Sequence, residues 1–219
     1  GNIVYDALRK KLSHAWLMDS ASPSALAHAV MFRQWGFDPE QLASEFDGDK
    51  FAPEPLDVDC LAAFRSRTLD DADDFVRGDI PEWVAANFQR NFGNTWLAEA
   101  QALATRPSLD LRANSLKADR EKVIRALEDA HAQASAIARH GIRIPSGEGP
   151  SRLPNVTAEL SFAKGWFEVQ DEGSQIVADL VMAAEGEQVL DYCAGGGGKT
   201  LALSATMANK GQVHAYDSD

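Results

Sequence analysis

The chain has 219 residues, 33 of them acidic and 21 basic, for a formal net charge of −12. With 45% apolar and 25% charged residues it has the composition of a folded globular protein long enough to bury a core. No apolar run reaches the roughly 20 residues of a membrane span, two cysteines cannot build a disulfide framework, and the five histidines never fall at metal-ligand spacing. Secreted, membrane and metal-scaffold classes are therefore excluded, and a reducing cytoplasm is the expected compartment.

The first residues already follow a helical period, through Ile3, Val4, Ala7, Leu8 and Leu12. The chain opens at Gly1 inside this pattern and closes at Asp219 directly after an apolar run, so it reads as a piece of a longer chain. Helical texture continues to about residue 46, with Ser22-Pro23 as an N-cap and first-turn pair and Gly36 as a stop. Residues 47–59, with Pro53 and Pro55, form a connector, and Cys60 to Leu69 one more helix. Asp70, Asp71, Asp73 and Asp74 read as a solvated acidic turn. Pro81 to Leu103 predicts one or two amphipathic helices, with Trp83, Phe88, Phe92, Trp96 and Leu97 as core.

Leu109 to Asn114 alternates like a strand, and Asp119 caps a helical pattern through Val123, Ile124, Leu127 and Ala130. Ser135 to Arg139 reads as a short strand and residues 141–155 as a Gly/Pro/Ser-rich loop, with further short strands near Val156–Leu160 and Trp166–Val169. This is a small α/β module. Residues 81–150 hold 9 basic and 8 acidic side chains, while every other segment is acidic. The basic ones cluster from Arg106 to Arg125. A nucleic-acid surface on this chain would lie there, with Arg112, Lys117 and Arg120 on phosphates; the alternative is a helix face of solvated arginines and lysines.

From Trp166 the texture changes. Val169-Gln170-Asp171-Glu172-Gly173-Ser174-Gln175 leads into a helical run through Ile176, Val177, Leu180 and Val181, which Gly186 ends. Gln188 to Tyr192 is a buried-type strand, followed by Cys193-Ala194-Gly195-Gly196-Gly197-Gly198-Lys199-Thr200 and a second helix. Gly211 breaks that helix, and Gln212 to Tyr216 forms another strand ending at Asp217. Strand, glycine loop, helix, strand, acid is half of a nucleotide-binding unit. The glycines allow a ligand to approach the backbone, and the acid, about 20 residues on, is placed for ribose hydroxyls. An ATP-type phosphate loop would need glycine where Cys193 stands. A dinucleotide fingerprint laid on Gly195 or Gly196 would need glycine where Thr200 or Leu201 stands. S-adenosylmethionine needs only a glycine shelf and the acid, and fits best.

These two motifs together resemble the opening of the Sun/Fmu (RsmB-like) RNA 5-methylcytosine methyltransferases, whose usual loop has proline where Gly196 stands. Leu111-Arg112-Ala113-Asn114-Ser115-Leu116-Lys117 is similar to a strand of that family's small RRM-like domain. Gly1 to Arg9 is similar to a helix of the NusB-like all-α domain of bacterial members. The resemblance implies an α-helical N-terminal region at 1–80. It implies a helical linker plus RRM-like α/β module at 81–165, and the first two strands of a Rossmann-like S-adenosylmethionine-dependent methyltransferase domain at 166–219. It implies methyl transfer to carbon 5 of a cytosine in RNA, ribosomal RNA in the first instance. Cys193, Ala194, Gly195, Gly196, Gly197, Gly198, Lys199 and Asp217 would hold the cofactor. The family's two catalytic cysteines lie further downstream, so this chain by itself is expected to be inactive, and its incomplete sheet edge to invite self-association. The readings from other classes are an RNA-binding or assembly module without catalysis, and half of an NAD-binding dehydrogenase.

Overall fold

A computed structural model describes residues 1–50 and 52–218; Phe51, within the expected connector, and Asp219 lie outside the described residues. The chain folds as two units, Gly1–Arg106 with Gly147–Arg152, and Pro107–Ser146 with Leu153–Asp219.

The first unit is helical: α1 (Asn2–Arg9), α2 (Lys11–Met18), α3 (Pro23–Ala29), α4 (Pro39–Phe46), α5 (Val58–Ser66), α6 (Asp74–Arg77), α7 (Glu82–Phe92) and α8 (Trp96–Leu103). Ser22 caps α3 by accepting the Ala25 amide, with Pro23 in the first turn. Asp38 and Pro39 open α4 in the same way. Gly36 has φ +74°, the left-handed backbone that suits a glycine stop. One core gathers Met18, Ala25 and Ala29 with Phe32, Leu56, Cys60 and Phe64. Another gathers Ile80, Trp96 and Ala100 with Phe75, Ala85, Phe88 and Leu97. Trp83 and Phe92, expected in the core, are exposed. The buried stripe of α7 is Ala85 and Phe88, and Trp83 stands off it.

A carboxylate organises part of this unit. Asp6 is 1% exposed and accepts from Trp35 Nε1 at 3.2 Å, Arg106 Nε at 2.8 Å and Arg106 Nη2. Burial pushes its pKa up, but the hydrogen bonds and charges of Arg106, Trp35 and Arg9 outweigh this and hold it below the usual range. Arg106 also donates to the carbonyls of Gly147 at 3.0 Å and Gly149 at 2.6 Å, which draws that segment into the helical unit. Arg106 is thus a structural cation and leaves the expected nucleic-acid surface.

The second unit contains β1 (Leu109–Ala113), α9 (Arg120–Ala126), β2 (Gln133–Ala134), β3 (Gly141–Ile144), α10 (Leu160–Ala163), β4 (Phe167–Val169), α11 (Glu172–Leu180), β5 (Gln188–Tyr192), α12 (Gly198–Thr206) and β6 (Gln212–Tyr216). The first four strands form an antiparallel sheet in the order β2-β3-β1-β4. Leu111, Ala113, Ile142, Ile144 and Phe167 bury one face of it with Val123 and Leu127. The strand expected at 135–139 is a turn, because Ser135 Oγ accepts the amides of Ile137 and Ala138. The strand begins instead at Gly141, inside the expected loop. A Cβ there would lie 2.7 Å from those of Ser135 and Ala138. Val156–Ala158 is a 3-10 turn leading to α10, not a strand. Phe167–Val169 pairs with β1, Ala113 opposite Phe167, so it completes the small sheet.

The sheet's other face is polar and meets α11. Arg143 bridges Asp110 and Glu172 at 2.8 Å each, and the Glu172 amide donates to Asp110. Gln175 Nε2 donates to the carbonyls of Leu111 and Gln170, at 3.1 and 2.9 Å. Beyond α11, β5 and β6 pair in parallel, Asp191 opposite Ala215. Val189 and Val213 meet Ala183, Leu203 and Met207 on one face of this pair. On the other, Leu190, Tyr192 and Tyr216 are exposed, and the two tyrosine rings stack with centroids 5.3 Å apart.

Candidate cofactor site

The loop between β5 and α12 is fixed at both ends. Cys193 and Ala194 both donate their amides to the Tyr216 carbonyl, at 2.9 and 3.0 Å, which fastens the loop to the end of β6. At the other end Thr200 Oγ1 donates to Asp191 Oδ2 at 2.6 Å, tying α12 back to β5. Within the loop, the Gly197 amide donates to the Ala194 carbonyl. Gly195 and Gly197 have φ +52° and +77°, which only glycine adopts without penalty. Cys193 shares that backbone region at φ +68°. Gly196 does not, so the position given to proline in the resembling family is one where glycine is not conformationally required.

Asp217 follows β6, and its Oδ2 accepts the Gly195 amide at 2.6 Å while Oδ1 accepts the Ser218 amide at 2.7 Å. A carboxylate offers about four lone-pair positions, so it can accept from several donors at once. A Cβ added at Gly195, Gly196 or Gly197 would meet nothing within 4 Å. The loop therefore borders open space that a ligand can enter. At Gly198, which begins α12, the nearest neighbour is Gln170 Nε2.

Of the residues expected to hold a cofactor, the structure joins Gly195 to Asp217 by a direct hydrogen bond and fastens Cys193 and Ala194 to the neighbouring Tyr216 carbonyl, with Lys199 in the first turn of α12. It separates the two cysteines. Cys193 is exposed in the loop, whereas Cys60 is half-buried in the helical unit.

Arg112 does not lie on the expected nucleic-acid surface. It is 5% exposed, so it cannot lie on a phosphate backbone; its Nε donates to Gln170 Oε1 at 2.7 Å. Burial pulls its pKa down, and the charges of Glu168 and Asp179 push it back up. Arg120 is likewise engaged, with Glu121 and the Ser135 carbonyl, while Lys117 is exposed. The sequence places Gln170 and Gln175 in the motif that leads into α11 but gives neither a role. Strand alternation was the available signal, since it turns Arg112 away from the face that buries Leu111. Among the described residues no group of His, Cys, Asp and Glu could hold a metal, and no helix is long and apolar enough to cross a membrane.

Residues 80–148 match the family model described as the RsmF/B-like methyltransferase, ferredoxin-like domain. A Synechocystis protein described as "Probable ribosomal RNA small subunit methyltransferase B" is 34% identical over 63% of this chain and 30% of its own length. The ribosomal RNA small subunit methyltransferase B of Pseudomonas syringae is 33% identical over 66% of this chain and 32% of its own. The chain thus spans about a third of these curated relatives. A crystal structure of a methyltransferase homolog protein from Pyrococcus horikoshii superposes with a TM-score of 0.57 at 23% identity, over 70% of this chain and 49% of that one. The crystal structure of PH0851 gives 0.66 at 22% identity, over 100% of this chain and 54% of that one. These two share the fold. Residues 80–148 thus match the RsmF/B-like ferredoxin-like domain, and about two thirds of the chain is similar to the ribosomal RNA small subunit methyltransferase B proteins.

Proposed function

We propose that this chain carries the cofactor-binding opening of an enzyme that transfers a methyl group from S-adenosylmethionine to carbon 5 of a cytosine in ribosomal RNA. The observation that carries the reading is the Gly195–Asp217 hydrogen bond at the carboxyl end of two parallel strands, where α/β sheets place their ligands. The loop's open side and the carboxylate of Asp217 beside it fit an adenosine ribose. The lack of a phosphate-loop glycine at Cys193 fits a ligand without phosphate. S-adenosylmethionine supplies, when bound, a methyl group on a sulfonium. Asp217 would hold the ribose hydroxyls, and Cys193 to Lys199 would bring backbone against the ligand. The ribosomal RNA substrate is supported by the names of the relatives, and carbon 5 by the resemblance of the motifs.

Carbon 5 of cytosine is a poor nucleophile, and a thiolate that adds to the neighbouring ring carbon activates it. Neither cysteine here is placed for that attack. Cys60 packs beside Met18 and Phe64, and Cys193 stands in the cofactor loop. The chain alone is therefore expected to bind cofactor without turnover. Calorimetric titration with S-adenosylhomocysteine and, separately, NAD tests the reading. Binding of the first and not the second supports it. NAD binding alone favours a dehydrogenase half, and binding of neither favours a module without cofactor.

A further inference from the structure

We propose that Lys122, Lys164 and Trp166 form a contact for the phosphate backbone of single-stranded RNA. Lys164 and Trp166 lie in the turn between α10 and β4, and Lys122 in the first turn of α9, so two segments distant in sequence converge. Lys122 Nζ lies over the indole ring, 4.1 Å from its centroid, and Lys164 Nζ lies over the same ring at 5.2 Å. Trp166 is itself anchored, being packed against the core of Val123, Leu127 and Phe167. Its carbonyl also accepts the Asn114 amide at 2.9 Å.

The charge setting sets this arrangement apart. Acidic residues outnumber basic ones 33 to 21, and other cations take carboxylate partners: Arg65 with Glu40, Arg67 with Asp19, Arg77 with Asp74, Lys210 with Glu185. Lys122 and Lys164 converge on a neutral ring instead. A ring face attracts an ammonium without cancelling its charge. The pair therefore remains a local concentration of positive charge on a chain of −12, with both side chains already ordered. Two ammonium groups 4.1 and 5.2 Å from one ring centroid lie no more than about 9.3 Å apart, within reach of neighbouring phosphates. With both ammonium groups over its ring, the indole serves as their mount, so the contact recognises backbone and not base. It also replaces Arg106 and Arg112, whose guanidinium groups are used internally.

This inference rests on the RNA methyltransferase reading for its choice of polyanion. The test uses the full chain and a fluorescein-labelled 12-nucleotide single-stranded RNA, with affinity measured by anisotropy across a salt series. The double variant Lys122→Gln, Lys164→Gln is compared with Lys210→Gln, a surface lysine elsewhere. The double variant should bind about tenfold more weakly at low salt. Losing two phosphate contacts should also lower the slope of log K against log salt by about 1.4. Trp166→Phe keeps a ring and the packing and should give an intermediate loss. Unchanged affinity and slope in the double variant, or an equal loss in Lys210→Gln, overturns the inference. So does a wild-type chain that binds no RNA. Titration of each protein with S-adenosylhomocysteine separates the two readings. Loss of RNA binding in the double variant of a chain that takes no cofactor upholds the contact and removes the methyl-transfer reading.

Discussion

Arg112 donates from Nε to Gln170 Oε1 at 2.7 Å, and both side chains are buried. Gln170 stands in turn against Gly198, where α12 begins, and its own Nε2 is without a partner. The small sheet is thereby in touch with the glycine loop through one carboxamide. Gln170→Ala leaves the Arg112 guanidinium buried without its acceptor, which should cost about 1–3 kcal/mol of stability. Urea denaturation of the variant measures the loss. Arg112→Lys in the otherwise unchanged chain should also lose stability, because an ammonium cannot present the same planar donor to Gln170.

Asp217→Ala should weaken S-adenosylhomocysteine binding by about ten- to a hundredfold, the equivalent of roughly 1.5–3 kcal/mol for hydrogen bonds to a charged group. Calorimetry reads the change directly. Unaltered affinity would remove the ribose role from Asp217.

Breaking the Asp6–Arg106 pair should be the most damaging single change in the helical unit. Arg106→Ala strands a carboxylate that is 1% exposed, at a cost of about 3–5 kcal/mol. Asp6→Asn keeps the acceptor oxygen for Trp35 and should cost less. Thermal unfolding of the two variants side by side gives the order.

His14 sets an acid limit on the same unit. Burial, with the charges of Arg33 and Lys10, pushes its pKa down to about 4, and Nδ1 has no partner. An unfolded histidine titrates near pH 6.5. Between pH 6.5 and 4 the unfolded chain therefore binds a proton that the folded chain does not. Stability is fully present above pH 6.5 and falls toward pH 4, by up to about 1.4 kcal/mol per pH unit. Asp79, raised by burial, titrates with the opposite sign. His14→Gln keeps a neutral polar group beside Gln34 and should flatten the dependence in denaturation curves taken from pH 7 to 4.5.

A tritium-transfer assay on ribosomal RNA checks the expectation of no turnover by this chain. Activity abolished by Cys193→Ser would place the nucleophile in the glycine loop after all. Sedimentation velocity of the same material tests self-association at β5 and β6, where Leu190, Tyr192 and Tyr216 are exposed. Tyr192→Lys should shift any dimer toward monomer.

The elements around the glycine loop were legible because their signals are local. The apolar run of β5, the glycines, and Asp217 after β6 are short-range patterns, and the helix caps Ser22 and Asp119 are written within four residues. What was not legible depends on neighbours distant in sequence. The strand near Trp166–Val169 reads from the sequence as part of the small module, but its register, with Ala113 opposite Phe167, does not. Gly141 opens a strand because Ser135 and Ala138 crowd it, although its composition suggests a loop. Arg112 looked like a phosphate ligand because its burial is decided by α11.

The bonds from Arg106 to the carbonyls of Gly147 and Gly149 have a consequence for the order in which the molecule is made. These partners lie 41 and 43 residues beyond the arginine. At a synthesis rate of about 5–20 residues per second, Arg106 waits roughly 2–9 seconds for them, while β1, α9, β2 and β3 emerge in between. The helical unit is thus begun first and closed late, its last internal bonds forming only after the neighbouring sheet has most of its strands.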